Sequence, residues 1–168
     1  LEEVSYAEME GEQRRLYDAE VLRIRKNIEN EEEKEFRKNK VLVLAELTKI
    51  RELCCDPSLV FEEYQGKSAK LDSLMDLMER AIDEGHRMLV FSQFTSMLEL
   101  IERRMDSIPY FKITGSTPKE DRLKLVEKFN SDPSIPVFLI PLKAGGTGLN
   151  LTGADVVIHY DPWWNEAV

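Results

Sequence analysis

The chain has 168 residues, of which 42% are hydrophobic and 33% charged, and its net charge is −9. This composition is typical of a soluble, helix-rich globular protein and excludes a disordered chain. The absence of both a ~18-residue apolar run and a secretion signal predicts no membrane association, and the acidic balance excludes a strongly basic, stand-alone DNA-binding domain.

Residues 1–66 are predicted to form a helical extension. Sparse apolar residues at helical spacing predict a charged helix over residues 10–40 and a second helix over residues 41–53. Asp56 ends the second helix, because a residue that precedes proline is driven out of the α region. Residues 58–68 are predicted to be a linker on the surface.

The chain has few residues that could bind a metal. Cys54 and Cys55 are adjacent and are the only cysteines, and His86 and His159 lie far apart in sequence. No pair has the spacing of a zinc site, so we expect no metal centre. We interpret the cysteines as buried thiols in a reducing compartment, which indicates a cytoplasmic protein.

From residue 67 onward, helical and strand patterns alternate. Helices are predicted at 70–84, 95–105 and 118–130, and strands at 87–92, 110–113, 137–140 and 155–160. This alternation indicates βαβ units, so the predicted fold class is α/β, with a parallel sheet flanked by helices. Thr95 or Ser96 is predicted to cap the second of these helices, and Thr117 the third, with Pro118 at its first position.

A glycine-rich segment follows the strand at 137–140. Gly145, Gly146 and Gly148 surround Thr147, and glycine permits both positive φ and the close approach of a phosphate to the backbone. An ordinary glycine turn between two strands is the alternative. Ligands of parallel sheets bind outside the carboxyl ends of the strands, where residues 92–93, 115–117 and 143–150 are all predicted to lie.

Three sequence blocks resemble motifs of the Swi/Snf family of superfamily-two ATP-dependent DNA translocases. LKAGGTGLNLTGADVVIHYDPWWN (142–165) resembles the fifth helicase motif, MLVFSQF (88–94) the fourth, and ITGSTPKEDR (113–122) the block after it. Residues 6–17 and 47–57 resemble the segments between the two motor lobes. The resemblance implies that residues 67–168 form the RecA-like second helicase lobe, ending before the final motif, and that residues 1–66 extend from the first lobe.

The resemblance also implies a set of site residues. Those assigned to the DNA backbone and groove are Ser92, Gln93, Ser116, Thr117, Lys143, Ala144, Gly145, Thr147 and Trp164; Gly148 and Asn150 would face the nucleotide. Hydroxyl, amide and backbone N–H groups of this kind hold phosphates without reading sequence.

Several of these residues have alternative interpretations. Lys143 could simply be solvated, and Thr117 could serve only as a helix cap. Arg122 could pair near the start of its helix or contact a phosphate. Of the two tryptophans, Trp163 is expected to be buried and Trp164 exposed.

The tetrapeptide Asp83-Glu84-Gly85-His86 spells the acidic box that holds Mg²⁺ and activates water in such motors. That box must follow an apolar strand, whereas here it follows a helical pattern. A helix that ends at Gly85 explains it without chemistry, since glycine is the usual residue just past a helix end.

The implied function is that of the second motor lobe of an ATP-dependent double-stranded DNA translocase that remodels protein–DNA complexes. ATP and Mg²⁺ would be cofactors of the full-length protein; the partners would be double-stranded DNA, bound weakly, and the N-terminal RecA-like lobe. The 168 residues contain no G-x-x-x-x-G-K-[ST] phosphate loop, so we expect no catalytic residues, no bound cofactor and no ATP hydrolysis in this chain alone. The alternative is a non-catalytic interaction module whose acidic helices at 10–53 bind a protein partner.

Overall fold

The computed structural model describes residues 2–30, 40–145 and 148–162. Tertiary contacts divide the chain into two compact units, residues 1–73 and 74–168. None of the described helices is long and apolar enough to cross a membrane.

The first unit contains two long helices, α1 (Gly11–Asn30) and α2 (Lys40–Cys55), and a 3₁₀ helix (Pro57–Leu59). Helix α3 (Ala69–Asp83) begins in this unit and contains the boundary between the two. Gln13 is only 1% exposed, and its side-chain amide links α1 to two later segments of the first unit. Its Nε2 donates to the Leu53 carbonyl at 3.3 Å, and its Oε1 accepts from the Ala69 N–H at 3.0 Å.

The segment predicted to be a surface linker is fixed at both ends. At its start, Asp56 Oδ1 accepts from the Ser58 N–H at 2.8 Å and caps the 3₁₀ helix. At its end, Ser68 is buried and its hydroxyl donates to the Cys55 carbonyl at 3.1 Å. The prediction of a surface linker over residues 58–68 is wrong only at Ser68, which packs into the unit, since the other residues of this range are exposed or half-buried. Cys55 is buried, Cys54 is half-buried, and neither is in a disulfide.

The second unit is built on a four-stranded sheet. Its strands are β1 (Met88–Ser92), β2 (Tyr110–Lys112), β3 (Val137–Pro141) and β4 (Val156–His159), in the spatial order β2-β3-β1-β4. Every neighbouring pair is parallel. The connecting helices are α4 (Thr95–Arg103), α5 (Lys119–Ser131) and the short α6 (Leu142–Gly145). These elements confirm the predicted α/β fold with a parallel sheet.

The core of this unit lies on both faces of the sheet. Phe138 on β3 packs edge-on against Phe129 of α5, with ring centroids 5.2 Å apart. Val137 and Leu139, which point to the opposite face, are also fully buried. A strand covered on both faces reads as a continuous apolar run, which explains why β3 could be predicted from sequence.

The helix caps predicted from sequence were wrong. Helix α4 has Phe94 at its N-cap position, and α5 begins at Lys119 after Pro118; neither has a side-chain cap. Thr117 Oγ1 instead accepts from the Thr114 N–H at 2.9 Å. The Thr117 hydroxyl points back into the preceding loop, where the Thr114 N–H lies within hydrogen-bonding distance of it.

The end of α3 confirms the helix-end interpretation of residues 83–86. Gly85 has φ +83°, the Gly85 N–H donates to the Ile82 carbonyl, and the His86 N–H donates to the Ala81 carbonyl. This pair of hydrogen bonds is the usual glycine termination of an α-helix. It places the acidic residues before β1, at the opposite edge of the sheet from the carboxyl ends of the strands.

The amino ends of the strands are held together by Arg87. Its guanidinium donates to the carbonyls of Phe129 (2.5 Å), Asp132 (2.9 Å), Ile135 (2.9 Å) and Gly153 (2.9 Å). It also lies over the Phe129 ring, 4.1 Å from the centroid. A Cβ on Gly153 would come within 2.7 Å of Arg87 Nη1, so this glycine is required by close packing.

Beside Arg87, His86 and Asp155 form a pH-sensitive pair. His86 Nδ1 lies 2.6 Å from Asp155 Oδ2, and Asp155 Oδ1 accepts from the Arg87 N–H at 2.8 Å. The hydrogen bond with Asp155 raises the pKa of His86, and Glu84, 3.7 Å away, acts in the same direction. The same hydrogen bond lowers the pKa of Asp155.

We expect the charged form of this pair to stabilise the fold more at low pH than at high pH. Because the pKa of His86 is raised in the fold, its contribution is complete below its unfolded pKa of about 6.5 and is lost as the pH rises through the folded value. The stability difference between the wild type and His86→Gln should therefore be larger at pH 5.5 than at pH 8.5 in denaturant titrations. An equal difference at both pH values would contradict the role of the charged pair.

Candidate nucleic-acid interface

The carboxyl ends of the four strands meet at one edge of the sheet, which we call the carboxyl edge. In the parallel register, Ser92 lies opposite Pro141, Phe91 opposite His159, and Lys112 opposite Leu139. The segments that leave these ends are residues 93–94, 113–118, 142–145 and 160–162. Most of the residues assigned to DNA from sequence are therefore brought together here, although they come from three separate parts of the chain.

Ser92 lies beneath this edge. It is 1% exposed, and its hydroxyl donates to Asp161 Oδ1 at 2.5 Å and accepts from the Phe94 N–H at 3.1 Å. The hydroxyl is thus committed to internal partners, and the expectation that Ser92 contacts DNA directly is not met in this arrangement. Its bond to Asp161 joins the ends of β1 and β4.

Asp161 is a site residue that sequence reasoning missed. The residue is 3% exposed, and its carboxylate accepts from both the Ser92 hydroxyl and the Gln93 N–H, the latter at 3.1 Å. The Gln93 amide also donates to the Pro162 carbonyl at 3.3 Å. The only signal in the sequence was that Asp161 follows a strand, because its partner depends on β1 and β4 being neighbours.

The glycine-rich segment begins as a helical turn and not as an open loop. Helix α6 follows β3 directly and carries Lys143, Ala144 and Gly145. Ala144 is buried in the core, so its side chain is not available to DNA. A Cβ on Gly145 would lie 2.6 Å from Phe91 Cε1, so glycine here permits close packing of that ring. Lys143 is exposed and makes no hydrogen bond or ion pair with the described residues.

The two residues assigned to the nucleotide are placed differently. Gly148 has φ +72°, a conformation that favours glycine. The Asn150 carbonyl accepts from Asn130 Nδ2 at 2.8 Å. Asn130 is in the last turn of α5, which runs from the carboxyl edge back to the start of β3. Asn150 is therefore separated from the group at the carboxyl edge. Thr147, Trp163 and Trp164 lie outside the described residues.

Comparison with known proteins shows which family this chain belongs to. Residues 69–168 match the family model of the helicase conserved C-terminal domain. The chain is also similar to the solved Sulfolobus solfataricus SWI2/SNF2 ATPase C-terminal domain, with 33% identity and a TM-score of 0.80 over 98% of this chain and 73% of that one. This chain belongs to the Swi/Snf family. Residues 69–168 are its C-terminal RecA-like helicase lobe, which we call the Swi/Snf lobe.

Two further similarities relate the Swi/Snf lobe to larger proteins. The chain is 35% identical, over its whole length, to a Bacillus subtilis protein described as an ATP-dependent helicase/translocase, YwqA, and spans 19% of that relative. It is 30% identical to the Sulfolobus solfataricus SWI2/SNF2 ATPase core in complex with dsDNA, with a TM-score of 0.80 over 95% of this chain and 34% of that one. The chain therefore corresponds to a minor part of each of these two proteins.

Proposed function

We propose that the Swi/Snf lobe is the second motor lobe of an ATP-dependent double-stranded DNA translocase that remodels protein–DNA complexes, and that its carboxyl edge holds the DNA backbone. The observation that carries this proposal is that three neighbouring strand ends, those of β1, β2 and β3, present polar groups on one surface. Gln93, Ser116 and Lys143 supply an amide, a hydroxyl and an ammonium group there. The similarity to a core solved with dsDNA supports the choice of ligand.

The chemistry of this edge suits contact with DNA independent of base sequence. Neutral hydroxyl, amide and N–H donors position phosphates but carry no information about bases. Lys143 is the charged group that we assign to a phosphate. Because the chain as a whole is acidic, the affinity of this chain alone should be weak, with a Kd of ~10⁻⁴ M or higher, and should fall with salt.

ATP and Mg²⁺ are proposed as cofactors of the whole protein. Among the described residues, no group of three or more His, Cys, Asp or Glu is placed to hold a metal ion. We propose that the N-terminal RecA-like lobe, the second proposed partner, holds the metal. Gly148 and Asn150 remain our proposed contacts to the nucleotide. We also propose a cytoplasmic location, which the two thiols Cys54 and Cys55 support.

The alternative, a protein-interaction module, is favoured by one observation. Helix α2 exposes several large apolar side chains, namely Val41, Leu42, Leu44 and Leu47. Exposed apolar residues grouped on one helix are typical of a surface that another protein covers. In this case the helices of the first unit, and not the carboxyl edge, would carry the interaction.

We expect Lys143→Gln to weaken binding of a short duplex and to reduce its dependence on salt. Each phosphate contact contributes about −0.9 to the slope of log K against log[salt]. Loss of the single contact made by Lys143 should therefore make the slope less steep by about 0.9. The binding constant is measured at several salt concentrations from amide shifts in NMR titrations of the 168-residue chain.

Lys26→Gln is the matched control, because Lys26 is exposed on α1 and changes the net charge equally. Shifts that appear on residues 10–53 and spare Gln93, Ser116 and Lys143 would contradict the DNA-binding edge. That pattern would favour the interaction module.

A further inference from the structure

Arg122 lies in the first turn of α5, and its side chain turns back over the loop of residues 114–117. Nε donates to the Thr117 carbonyl at 2.8 Å, and Nη2 donates to the Gly115 carbonyl at 3.2 Å. Nη2 also approaches the Thr114 carbonyl at 3.5 Å, and the same carbonyl accepts from the Thr117 N–H at 3.2 Å. One guanidinium therefore gathers three carbonyls of a four-residue loop.

Because the peptide bond is planar, the direction of each loop carbonyl also fixes the direction of the N–H group of the next residue. In a trans peptide the C=O of one residue and the N–H of the next point in opposite directions, and the described residues contain no cis peptide. Because the carbonyls of Thr114 and Gly115 point towards Arg122, the N–H groups of Gly115 and Ser116 point away from it. Neither N–H has an acceptor among the described residues.

Of the hydroxyl groups of the loop, one bonds within the loop and another is exposed, just as the loop carbonyls face Arg122 and the N–H groups face away from it. Thr117 Oγ1 accepts from the Thr114 N–H at 2.9 Å and lies 3.0 Å from Thr114 Oγ1, so it serves the loop itself. Ser116 is exposed, and its only hydrogen bond within the described part of the chain is a 3.0 Å contact with Thr114 Oγ1. The groups left for an external acceptor are two successive N–H groups and the Ser116 hydroxyl, an arrangement that suits an anionic oxygen.

We propose that Arg122 is a positioning residue for DNA. It holds the loop carbonyls inward so that the Gly115 N–H, the Ser116 N–H and the Ser116 hydroxyl together face one phosphate of the backbone. Arg122 does not itself contact that phosphate. This inference rests on the proposed function and identifies which groups of the loop act as donors: those of Gly115 and Ser116, and not the Thr117 hydroxyl.

The role requires the shape of the guanidinium and not only its charge. A planar fork can reach several carbonyls at once, whereas the lysine ammonium is a compact point charge on a flexible stem. Lysine at this position would keep the charge but lose the orientation of the loop. Arg122→Lys therefore separates positioning from direct contact with a phosphate.

The test compares Arg122→Lys and Arg122→Gln with the wild type in duplex titrations at several salt concentrations. We expect both variants to bind about five- to tenfold more weakly, because the donors are no longer pre-oriented, and to keep the wild-type salt slope. Lys124→Gln is the matched control, since Lys124 is exposed on the same helix and, among the residues that the structure describes, pairs only with Asp121, at 3.7 Å. It should bind like the wild type.

A double-mutant cycle provides a readout that a merely structural role would not change. Ser116→Ala should weaken binding in the wild type but have little further effect in Arg122→Gln, where the hydroxyl has already lost its orientation. Amide exchange in Val90 and Leu139 shows whether each variant keeps its fold. If Arg122→Gln fails to fold, Arg122→Lys and its cycle with Ser116→Ala decide the question.

Three outcomes would overturn the inference. Additive effects of the Ser116 and Arg122 changes would show that the two residues act independently. Wild-type binding by both Arg122 variants would show that the loop orientation does not matter. Retained affinity in Arg122→Lys, with a lower salt slope in Arg122→Gln, would show a direct phosphate contact. If instead the wild-type chain gives no shifts at the carboxyl edge, the proposed function fails, whatever the Arg122 variants do.

Discussion

Arg87→Met is expected to lower the free energy of unfolding of the α/β unit by about 3 kcal/mol or more. The change removes the donor for four backbone carbonyls and a cation over the Phe129 ring. Hydrogen bonds from charged groups contribute about 1.5–3 kcal/mol each where they are buried, and this site is only partly buried. Because water can satisfy part of each bond at this site, the expected loss of about 3 kcal/mol lies well below the sum over four fully buried bonds.

The measurement is amide exchange in Val90 and Leu139, which lie in the central strands and exchange only when the unit opens. Arg80→Met is the matched control, because Arg80 is exposed on α3 and its Nε reaches only the Asp76 carbonyl of its own helix, at 3.3 Å. Arg87→Lys should lie between the wild type and Arg87→Met. A loss in Arg87→Met no greater than in the control would show that the carbonyls are satisfied by water.

Asp161→Ala is expected to lower the same free energy by about 2–3 kcal/mol. The change leaves the buried Ser92 hydroxyl and the Gln93 N–H without their acceptor, and an unsatisfied buried donor costs about 1–3 kcal/mol. Asp161→Asn should cost less, because the amide oxygen can still accept one of the two bonds. The exposed Asp106 provides the control in Asp106→Ala.

Amide exchange distinguishes a local from a global effect of the Asp161 change. The Gln93 amide should exchange faster in Asp161→Ala even at temperatures where Val90 and Leu139 remain protected, because its acceptor is the group removed. Unchanged exchange at Gln93 would show that this N–H is satisfied by another group, and Asp161 would then not connect β1 to β4.

The two edges of the sheet have different compositions that fit different tasks. At the amino edge, Arg87 and Asp155 satisfy backbone groups from several loops and leave few free donors. At the carboxyl edge, the N–H groups of Gly115 and Ser116 and the Lys143 ammonium have no acceptor among the described residues. The exposed donors of Ser116 and Lys143 can therefore be changed without touching the contacts of Arg87 and Asp155 at the amino edge.

The sequence by itself determined the strands, the long helices and the edge of the sheet at which we propose the site. The apolar run of β3 and the helical period of α3 are local patterns, and each depends on residues that are neighbours in the chain. Gly85 was correctly assigned to a helix end, because the need for positive φ is also local. The position of the carboxyl edge followed from the parallel βαβ units alone.

Only the tertiary structure decided which side chains are partners. Ser92 and Asp161 meet because β1 and β4 are neighbours, although 69 residues separate them in sequence. Thr117 looked like a helix cap and instead serves its own loop, because Arg122 folds back and organises that loop. A polar side chain binds whatever donor or acceptor the fold brings within about 3 Å. That choice depends on strand order and loop path, which local sequence patterns do not contain.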